Sequence, residues 1–370
     1  MAREAVLSAF GLERPPGERG GMVGQARSFI NVVWNRTVGM VEFGVSVPTG
    51  REGLMVPTGF ASRETIVDAG MLAEALGYHS VWGNDHITVQ EYIQHLRPSP
   101  SFYDPLICMA ALSSVTRRVK LAIGIFVFPW RTPCLVTCAK QLATLDVLSG
   151  GRLILGVGTG AYPEESAALN IADNAGRLNE GVEALRVLFE EERATYAGRY
   201  VRFRDVRMLP KPVQRPLPIY LGRHRTTAPV LRWIARHGQG WIPSLSPDQF
   251  AEALPRLEEA LREQGRRLEE VDIVREISVS LDETMDAAMR RYLSTPAKAH
   301  MRSLSEGKLV DLEREAERSL IGTADDVVEG IQSYLDAGVR HFMFNFAVTE
   351  PRELTAAMER FAGEIMPSFL

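Results

Sequence analysis

Residues 119–160 read "VKLAIGIFVFPWRTPCLVTCAKQLATLDVLSGGRLILGVGTG" and contain two apolar runs that flank a helical pattern. An apolar run over 119–129 is followed by apolar residues at helical spacing over 132–151 and by a second apolar run over 152–160. Strands buried on both faces are apolar without alternation, as in a parallel sheet. The stretch therefore predicts a strand, a helix and a second, parallel strand.

The same alternation continues in both directions along the chain. Strands are predicted at 41–47, 79–83, 119–129, 152–160, 217–222, 240–244, 271–281 and 339–346. Helices are predicted at 61–77, 103–116, 132–151, 174–193, 226–238, 247–266, 324–337 and 351–363. Eight such repeats with apolar strands predict an α/β fold, the (β/α)₈ TIM barrel.

Two segments exceed this plan. Residues 1–39 contain "RPPGERGG" and are interpreted as an N-terminal extension, so that the barrel domain covers 40–370. Residues 282–320 form a polar insertion before the last-but-one helix and include Tyr292, Lys298 and His300. A loop of that length in a compact domain is usually functional. We expect either a lid or substrate wall, or a solvated helical insertion.

Composition excludes several function classes. The formal net charge is −4, with 42 Lys+Arg and 46 Asp+Glu, so no basic excess is available to neutralise nucleic acid. No apolar run reaches the roughly 18–20 residues of a membrane span, and the N-terminus lacks a signal-peptide pattern. We expect a cytoplasmic protein that binds neither nucleic acid nor membrane.

The three cysteines, Cys108, Cys134 and Cys138, lie in apolar stretches. Cys134 and Cys138 are one helical turn apart on one face, but no His or acidic residue nearby completes a metal ligand set. We therefore expect packing thiols and no metal site.

Chemistry in a TIM barrel takes place at the carboxyl ends of the strands. The loops there are Asp85-His86 after the second strand, "PWRT" after the third, "GTGAY" after the fourth, "GRHRTT" after the fifth, and Asn345 after the eighth. Five polar or glycine-rich loops on one rim favour a functional Asp85-His86 pair over a surface turn.

The loop after the fifth strand is a candidate phosphate site. It runs from Gly222 into a helix, whose free backbone N–H groups and dipole attract anions. Positive charge and hydroxyl groups are added by Arg223, His224, Arg225, Thr226 and Thr227. The turn Gly158-Thr159-Gly160 would let a flat ring approach the backbone, or would serve close packing alone.

Large apolar side chains at the strand ends indicate a substrate with an apolar or ring-shaped body, although such residues are often core. They are Phe126, Phe128, Trp130, Tyr162 and Trp241. The predicted substrate contacts are Trp130, Tyr162, Trp241 and Asn345.

Several stretches together resemble the bacterial luciferase-like monooxygenase superfamily of flavin- or deazaflavin-dependent TIM barrels. They are "YHSVWGNDH" (78–86), the stretch from Asp104 to Glu165, "LPKPVQRPLPIYLG" (209–222) and "LIGTADDVVEGIQSYLDAGVRHFMF" (320–344). The resemblance covers roughly 40–360, and "LATLDVLSGGRLILGVGTG" is its most specific part.

The resemblance implies roles for individual residues. Asp85 and His86 would lie at the ring of the cofactor, with His86 handling a proton or stabilising charge on the reduced ring. The counterpart of a non-prolyl cis peptide in strand three would be Gly124-Ile125. Residues 158–160 would run beside the cofactor, and the loop 222–227 would hold its phosphate.

The resemblance leaves the cofactor open between coenzyme F420 and reduced FMN. F420 implies hydride transfer to or from a small organic substrate, whereas FMN implies a two-component monooxygenase that uses oxygen and a partner flavin reductase. A non-catalytic flavin-binding protein is a third alternative. Ala161 replaces the Glu of the family's sugar-phosphate dehydrogenases and argues against glucose 6-phosphate oxidation. We expect a homo-oligomer, namely a dimer.

Overall fold

A computed structural model describes residues 41–223, 225–304 and 318–369. The proposed N-terminal extension lies outside the described residues, and so does His224. The predicted domain boundary between residues 39 and 40 stays a prediction.

Within the described residues, eight parallel strands close into a barrel. They are β1 (Glu42–Ser46), β2 (Ser80–Gly83), β3 (Lys120–Val127), β4 (Leu153–Gly158), β7 (Ile219–Gly222), β8 (Gly240–Ile242), β9 (Asp272–Leu281) and β11 (His341–Phe346). Each strand pairs with the next, β8 pairs with β9, β9 with β11, and β11 with β1. The predicted TIM barrel is confirmed.

Helices follow the strands and cover the outside of the barrel. Their bounds are α1 (Arg63–Ala75), α2 (Pro105–Val115), α3 (Leu135–Ser149), α4 (Pro163–Ala168), α5 (Asn174–Glu190), α6 (Ala228–His237), α7 (Pro247–Arg262), α8 (Met285–Ser294), α9 (Ala297–Leu304), α10 (Ala324–Asp336) and α11 (Pro351–Glu364). Asp104 caps α2 by accepting from the Ile107 N–H at 3.0 Å, and Gly150 ends α3 in the left-handed conformation. In the part of the chain that the structure describes, no helix is long and apolar enough to cross a membrane.

Side chains alternate between two cores along each strand. The interior of the barrel is filled by Trp82, Ala122, Ile154, Tyr220, Ile242, Val274 and Met343. A larger core lies between strands and helices. There, Phe344 of β11 packs on Phe361 of α11 and on Phe342 of its own strand. The period of two therefore decides which side chains at a strand end can face the mouth of the barrel.

Three features go beyond the predicted plan. An antiparallel hairpin, β5 (Ala194–Ala197) and β6 (Arg202–Val206), follows α5. The insertion contains α8, α9 and the short strand β10 (Leu320–Gly322), which pairs with β9. Residues 305–317 of the insertion lie outside the described residues.

The cysteines are free thiols in three different environments. Cys138 is buried in α3, and burial raises its pKa to about 12. Cys108 is half-buried, but Cys134 is exposed at the start of α3. The prediction of a packing role is therefore wrong for Cys134, because it precedes the helix and does not share the buried face of Cys138.

Candidate active site

The segment that follows β2 is fixed to the loop that follows β1. Asn84 Nδ2 donates to the Gly50 carbonyl at 2.6 Å, and Thr49 Oγ1 donates to the Asn84 carbonyl at 2.9 Å. A Cβ added at Gly50 would lie 3.2 Å from His86 Cδ2. The backbone that presents Asp85 and His86 is thus held in place on the carboxyl side of the barrel.

His86 is set between two side chains of opposite hydrogen-bonding character. Its Nδ1 lies 3.1 Å from Glu165 Oε2 and 2.9 Å from Gln90 Nε2. A carboxylate only accepts and an amide nitrogen only donates, so Nδ1 is served by Glu165 when it carries a hydrogen and by Gln90 when it does not. Both tautomers of His86 therefore have a partner, and Nε2 can act as acceptor or donor.

Glu165 joins the first turn of α4 to the loop after β2. Its side chain is buried, and Oε1 accepts from the backbone N–H groups of Ile87 at 3.0 Å and Thr88 at 3.4 Å. Glu165 was not predicted from the sequence, because acidic residues in the first turn of a helix are common for reasons of the dipole alone.

Asp85 points away from His86 towards the end of β3. Oδ2 accepts from the Val127 N–H at 2.9 Å, and both oxygens lie 3.0 Å from Arg131 Nη2. Burial raises the pKa of Asp85, while the Arg131 guanidinium and the Val127 N–H oppose that rise. Because both oxygens are occupied, we interpret Asp85 as a residue that positions the loop and not as one that reacts.

Helix α9 of the insertion contributes to the wall of the site. His300 Nδ1 lies 2.8 Å from the Tyr162 hydroxyl and 3.3 Å from the Tyr92 hydroxyl, and Ser303 Oγ lies 2.9 Å from that of Tyr162. Burial, with help from His86 and Arg51, lowers the pKa of His300 to about 3, so the ring is neutral and accepts from tyrosine. Of the two interpretations of the insertion, these contacts favour a wall.

The glycines around the barrel mouth make room for Ile125. A Cβ at Gly222 would lie 2.2 Å from Ile125 Cδ1, and one at Gly158 would lie 2.6 Å from Ile125 Cγ2. The Gly124–Ile125 peptide is cis, and the β3–β4 ladder shifts register around it. Close packing thus accounts for Gly158 and Gly222, whereas Gly160 has a positive φ of 83° that only glycine adopts easily.

Thr159 lies between these glycines and is held through its backbone. Its carbonyl accepts from Asn174 Nδ2 at 2.9 Å, and the same amide nitrogen donates to Ser166 Oγ at 2.8 Å. The turn after β4 is therefore fixed to the start of α5.

The loop after β7 borders a cavity of about 330 Å³. Arg225, Thr226 and Thr227 form one side of this cavity, and Gln249, Glu252 and Arg256 of α7 lie on the other. Thr227 is the residue before α6, and its side chain makes no capping hydrogen bond. Arg223 is half-buried, and burial and then Arg225 lower its pKa. Arg223 and Arg225 stand just before the N-terminus of α6, a position that suits an anionic group. Glu252 reduces the positive charge of the cavity.

Trp241 does not contact the mouth, so its predicted place in the substrate wall is wrong. Its side chain is fully buried, packs on Phe250 and donates from Nε1 to the Arg223 carbonyl at 3.0 Å. Its neighbour Ile242 points inwards instead. Phe126 and Phe128 likewise belong to the core between strands and helices.

Two further predicted substrate contacts lie at the carboxyl ends of their strands. Trp130 is largely buried and donates from Nε1 to Ser166 Oγ at 3.0 Å. Asn345 Nδ2 donates to Glu276 Oε1 at 3.0 Å, and the same oxygen lies 3.4 Å from Arg51. Arg51, Glu276 and Gln90, like Glu165, were not predicted as site residues.

Comparison with known proteins agrees with this geometry. The profile of a family described as "Luciferase-like monooxygenase" matches residues 41–341. An F420-dependent glucose-6-phosphate dehydrogenase of Microbacterium testaceum is 30% identical over 76% of this chain and 86% of its own length. A protein of the same name from Kineococcus radiotolerans is 28% identical over 82% of this chain and 92% of its own length.

A solved structure extends the likeness to the fold. Monooxygenase RslO1 from Streptomyces bottropensis is 28% identical, with a TM-score of 0.74 over 89% of this chain and 100% of that chain. The family profile spans most of the barrel, including the loops that carry His86 and Glu165. The chain belongs to the luciferase-like monooxygenase family.

Proposed function

We propose that this member of the family transfers hydride between coenzyme F420 and a small organic substrate, with His86 handling the accompanying proton. The broader statement is that the chain is a luciferase-like oxidoreductase or monooxygenase that works with F420 or FMN. The observation that carries the proposal is the placement of His86 Nδ1 between Glu165 and Gln90.

This placement suits a reversible proton transfer. With Nδ1–H donated to Glu165, Nε2 has a free lone pair and can accept a proton from a substrate hydroxyl. The imidazolium that forms is stabilised by the Glu165 carboxylate at 3.1 Å. In the reverse direction this imidazolium gives its Nε2 proton to the developing alkoxide of a substrate carbonyl and returns to the neutral ring. With Nδ1 accepting from Gln90, the neutral ring can donate a hydrogen bond from Nε2 to a substrate carbonyl.

The cofactor residues follow from the cavity and the glycine-rich loops. Arg223, Arg225, Thr226 and Thr227 would hold the phosphate, and the segments Gly124–Ile125 and Gly158–Gly160 would lie beside the ring. When bound, F420 supplies a hydride acceptor or donor, which no side chain of this chain can provide.

The proposed substrate contacts are neutral groups, and the charged Arg51 and Glu276 beside them are paired with each other. The hydroxyls of Tyr92 and Tyr162, the neutral ring of His300 and the amide of Asn345 recognise hydroxyl or carbonyl oxygens. Ala161 offers no carboxyl group. We therefore propose an uncharged alcohol or carbonyl compound as substrate, in contrast to the sugar phosphate in the names of the relatives.

The test is an anaerobic titration of the full-length chain with F420 and, separately, with FMN, followed by cofactor fluorescence. We expect saturable binding of F420 at one per chain and weaker binding of FMN. Reduced F420 should then be oxidised in the presence of a carbonyl substrate drawn from a panel. Tight binding of FMN without binding of F420 would contradict the proposal.

A second candidate function is a two-component monooxygenase that receives reduced FMN from a reductase. The observation in its favour is the 28% identity to monooxygenase RslO1 over the whole of that chain. Oxygen consumption that depends on reduced FMN and on an added organic substrate would identify this activity. The homodimer, the reductase partner and the cytoplasmic location stay predictions.

A further inference from the structure

Four metal-ligating side chains meet at the amino end of the barrel, opposite His86. Glu42, Asp272 and His341 are the first residues of β1, β9 and β11, and His79 directly precedes β2. These strands are neighbours in the barrel order β9, β11, β1, β2. We propose that the amino-end cluster, made of Glu42, His79 and His341 with Asp272 beside them, forms a binding site for a zinc ion in which the first three residues are the ligands.

The spacing of the donor atoms fits zinc. His79 Nε2 lies 3.6 Å from Glu42 Oε1, and His341 Nδ1 lies 3.4 Å from Glu42 Oε2. One ligand atom from each of the three residues falls within 4.8 Å of the others. Zinc bonds of about 2.0–2.2 Å in a tetrahedron hold their donor atoms roughly 3.3–3.5 Å apart. Small side-chain movements would therefore bring all three donors to bonding distance.

Two carboxylates lie beside the His341 ring. Its Nδ1 lies 2.8 Å from Asp272 Oδ2 and 3.4 Å from Glu42 Oε2, and Asp272 Oδ2 also accepts from the Tyr220 hydroxyl at 2.8 Å. A zinc ion would take the Nδ1 lone pair of the neutral imidazole in place of the hydrogen that faces a carboxylate. Lys120 adds positive charge on the Glu42 side, but its ammonium is directed at the Gly151 carbonyl, 3.5 Å away.

Hydrogen bonds from neighbouring side chains hold the His341 ring in one orientation, as is common for histidines that bind a metal. His341 Nε2 lies 3.0 Å from Ser80 Oγ, which accepts from Trp82 Nε1 at 2.8 Å. A ligating histidine usually donates its second N–H to such a partner. His341 is fully buried, whereas the side chains of His79 and Glu42 are 14% and 25% exposed, which gives an ion a route from solvent.

Two imidazole nitrogens and a carboxylate suit zinc over magnesium or calcium, which prefer oxygen ligands. At the amino end of a barrel the ion would link β11, β1 and β2 and act on stability, apart from the chemistry at the rim.

The experiment uses the full-length chain, stripped with a chelator and titrated with zinc chloride by calorimetry, and with cobalt chloride by visible absorption. We expect one ion per chain, the intense absorption of tetrahedral cobalt, and a melting temperature that rises with zinc concentration. Glu42→Gln and His79→Ala should each weaken zinc binding by at least about tenfold.

The matched control is His237→Ala. His237 Nε2 lies 3.8 Å from Glu183 Oε1 and the side chain is 15% exposed, a similar pair outside the amino-end cluster. Its loss should leave zinc binding unchanged. Glu42→Gln keeps the shape of the side chain. If His79→Ala does not fold, zinc binding by Glu42→Gln alone tests the proposal. Absence of stoichiometric binding, or binding that both variants retain, would overturn the proposal; so would binding lost in His86→Ala alone.

Discussion

Each end of the barrel carries a histidine whose Nδ1 lies against a carboxylate. At the carboxyl rim, His86 lies 3.1 Å from Glu165 and its side chain is 12% exposed. At the amino end, His341 lies 2.8 Å from Asp272 and is fully buried, with Nε2 against Ser80. The pairing is the same, but the two histidines differ in two respects. His86 also has Gln90 as a hydrogen-bond donor to Nδ1 when that nitrogen carries no hydrogen, and it is accessible to solvent. Solvent access and the second hydrogen-bond partner, more than the pair itself, are the reasons for which we propose the proton-handling role for His86.

The sharpest test of this contrast replaces each histidine in turn. His86→Ala should lower turnover by about 10²–10⁴-fold, because a positioned acid or base is lost, and leave the melting temperature nearly unchanged. His341→Ala should instead cost about 3–5 kcal/mol of the free energy of unfolding, because the buried Asp272 carboxylate loses a partner. Turnover and melting temperature are measured on the same preparations. A destabilised but fully active His86→Ala would remove the catalytic role of His86.

The second prediction concerns cofactor affinity at the rim. Replacing Arg223 and Arg225 by alanine should weaken cofactor binding by about 1.5–3 kcal/mol for each charged hydrogen bond lost. Binding is followed by fluorescence titration. Arg236→Ala is the control, because this exposed arginine lies in the last turn of α6, away from the cavity. Equal affinity of the double variant and the control would mean that the loop arginines do not contact the phosphate.

The third prediction separates Glu165 from His86. Glu165→Gln keeps the shape of the side chain but removes the charge that stabilises the His86 imidazolium, so turnover should fall by about tenfold or more. The readout specific to this role is rescue by Glu165→Asp, which keeps the charge and should retain more turnover than Glu165→Gln. A lower melting temperature with equal turnover in the two variants would show that Glu165 serves only to hold the loop.

The smallest effect is expected in the pH dependence of stability. Burial lowers the pKa of His300 from 6.5 to about 3, so below pH 6.5 the unfolded chain binds a proton that the folded chain refuses. This histidine therefore makes stability fall as pH drops from about 6.5 to 3, and has no effect above that range. His300→Gln should lose less stability than the unsubstituted chain between pH 7 and pH 4.5, measured by denaturant unfolding. Parallel losses would contradict the low pKa.

The barrel could be predicted from the sequence because its strands are buried on both faces. Residues 119–129 and 152–160 are apolar without alternation, a pattern that a surface strand would not show. The β5–β6 hairpin was missed because Thr195, Arg202 and Asp205 leave it polar and exposed. Short strands outside the main sheet have no such pattern.

The site could be predicted only in part. His86 stands out because it follows a buried strand, but the side on which Trp241 lies depends on the phase of a three-residue strand. A shift of one residue along the strand would turn Trp241 from the outer core to the barrel interior, and the sequence does not determine which residue faces inwards. Glu165 and His300 reach the site from α4 and from the insertion, and such long-range contacts follow from tertiary packing, which leaves no local sequence pattern.

The insertion returns to the barrel through β10, which pairs with β9, and the Asp282 N–H at its start donates to the Gly322 carbonyl at 3.0 Å. Its described part brings His300 to Tyr162. The proposed proton-transfer residue His86 therefore lies on a barrel loop, whereas part of the proposed substrate wall lies outside the eight-stranded frame. We expect substitutions in α9 to change the choice of substrate more than they change the barrel.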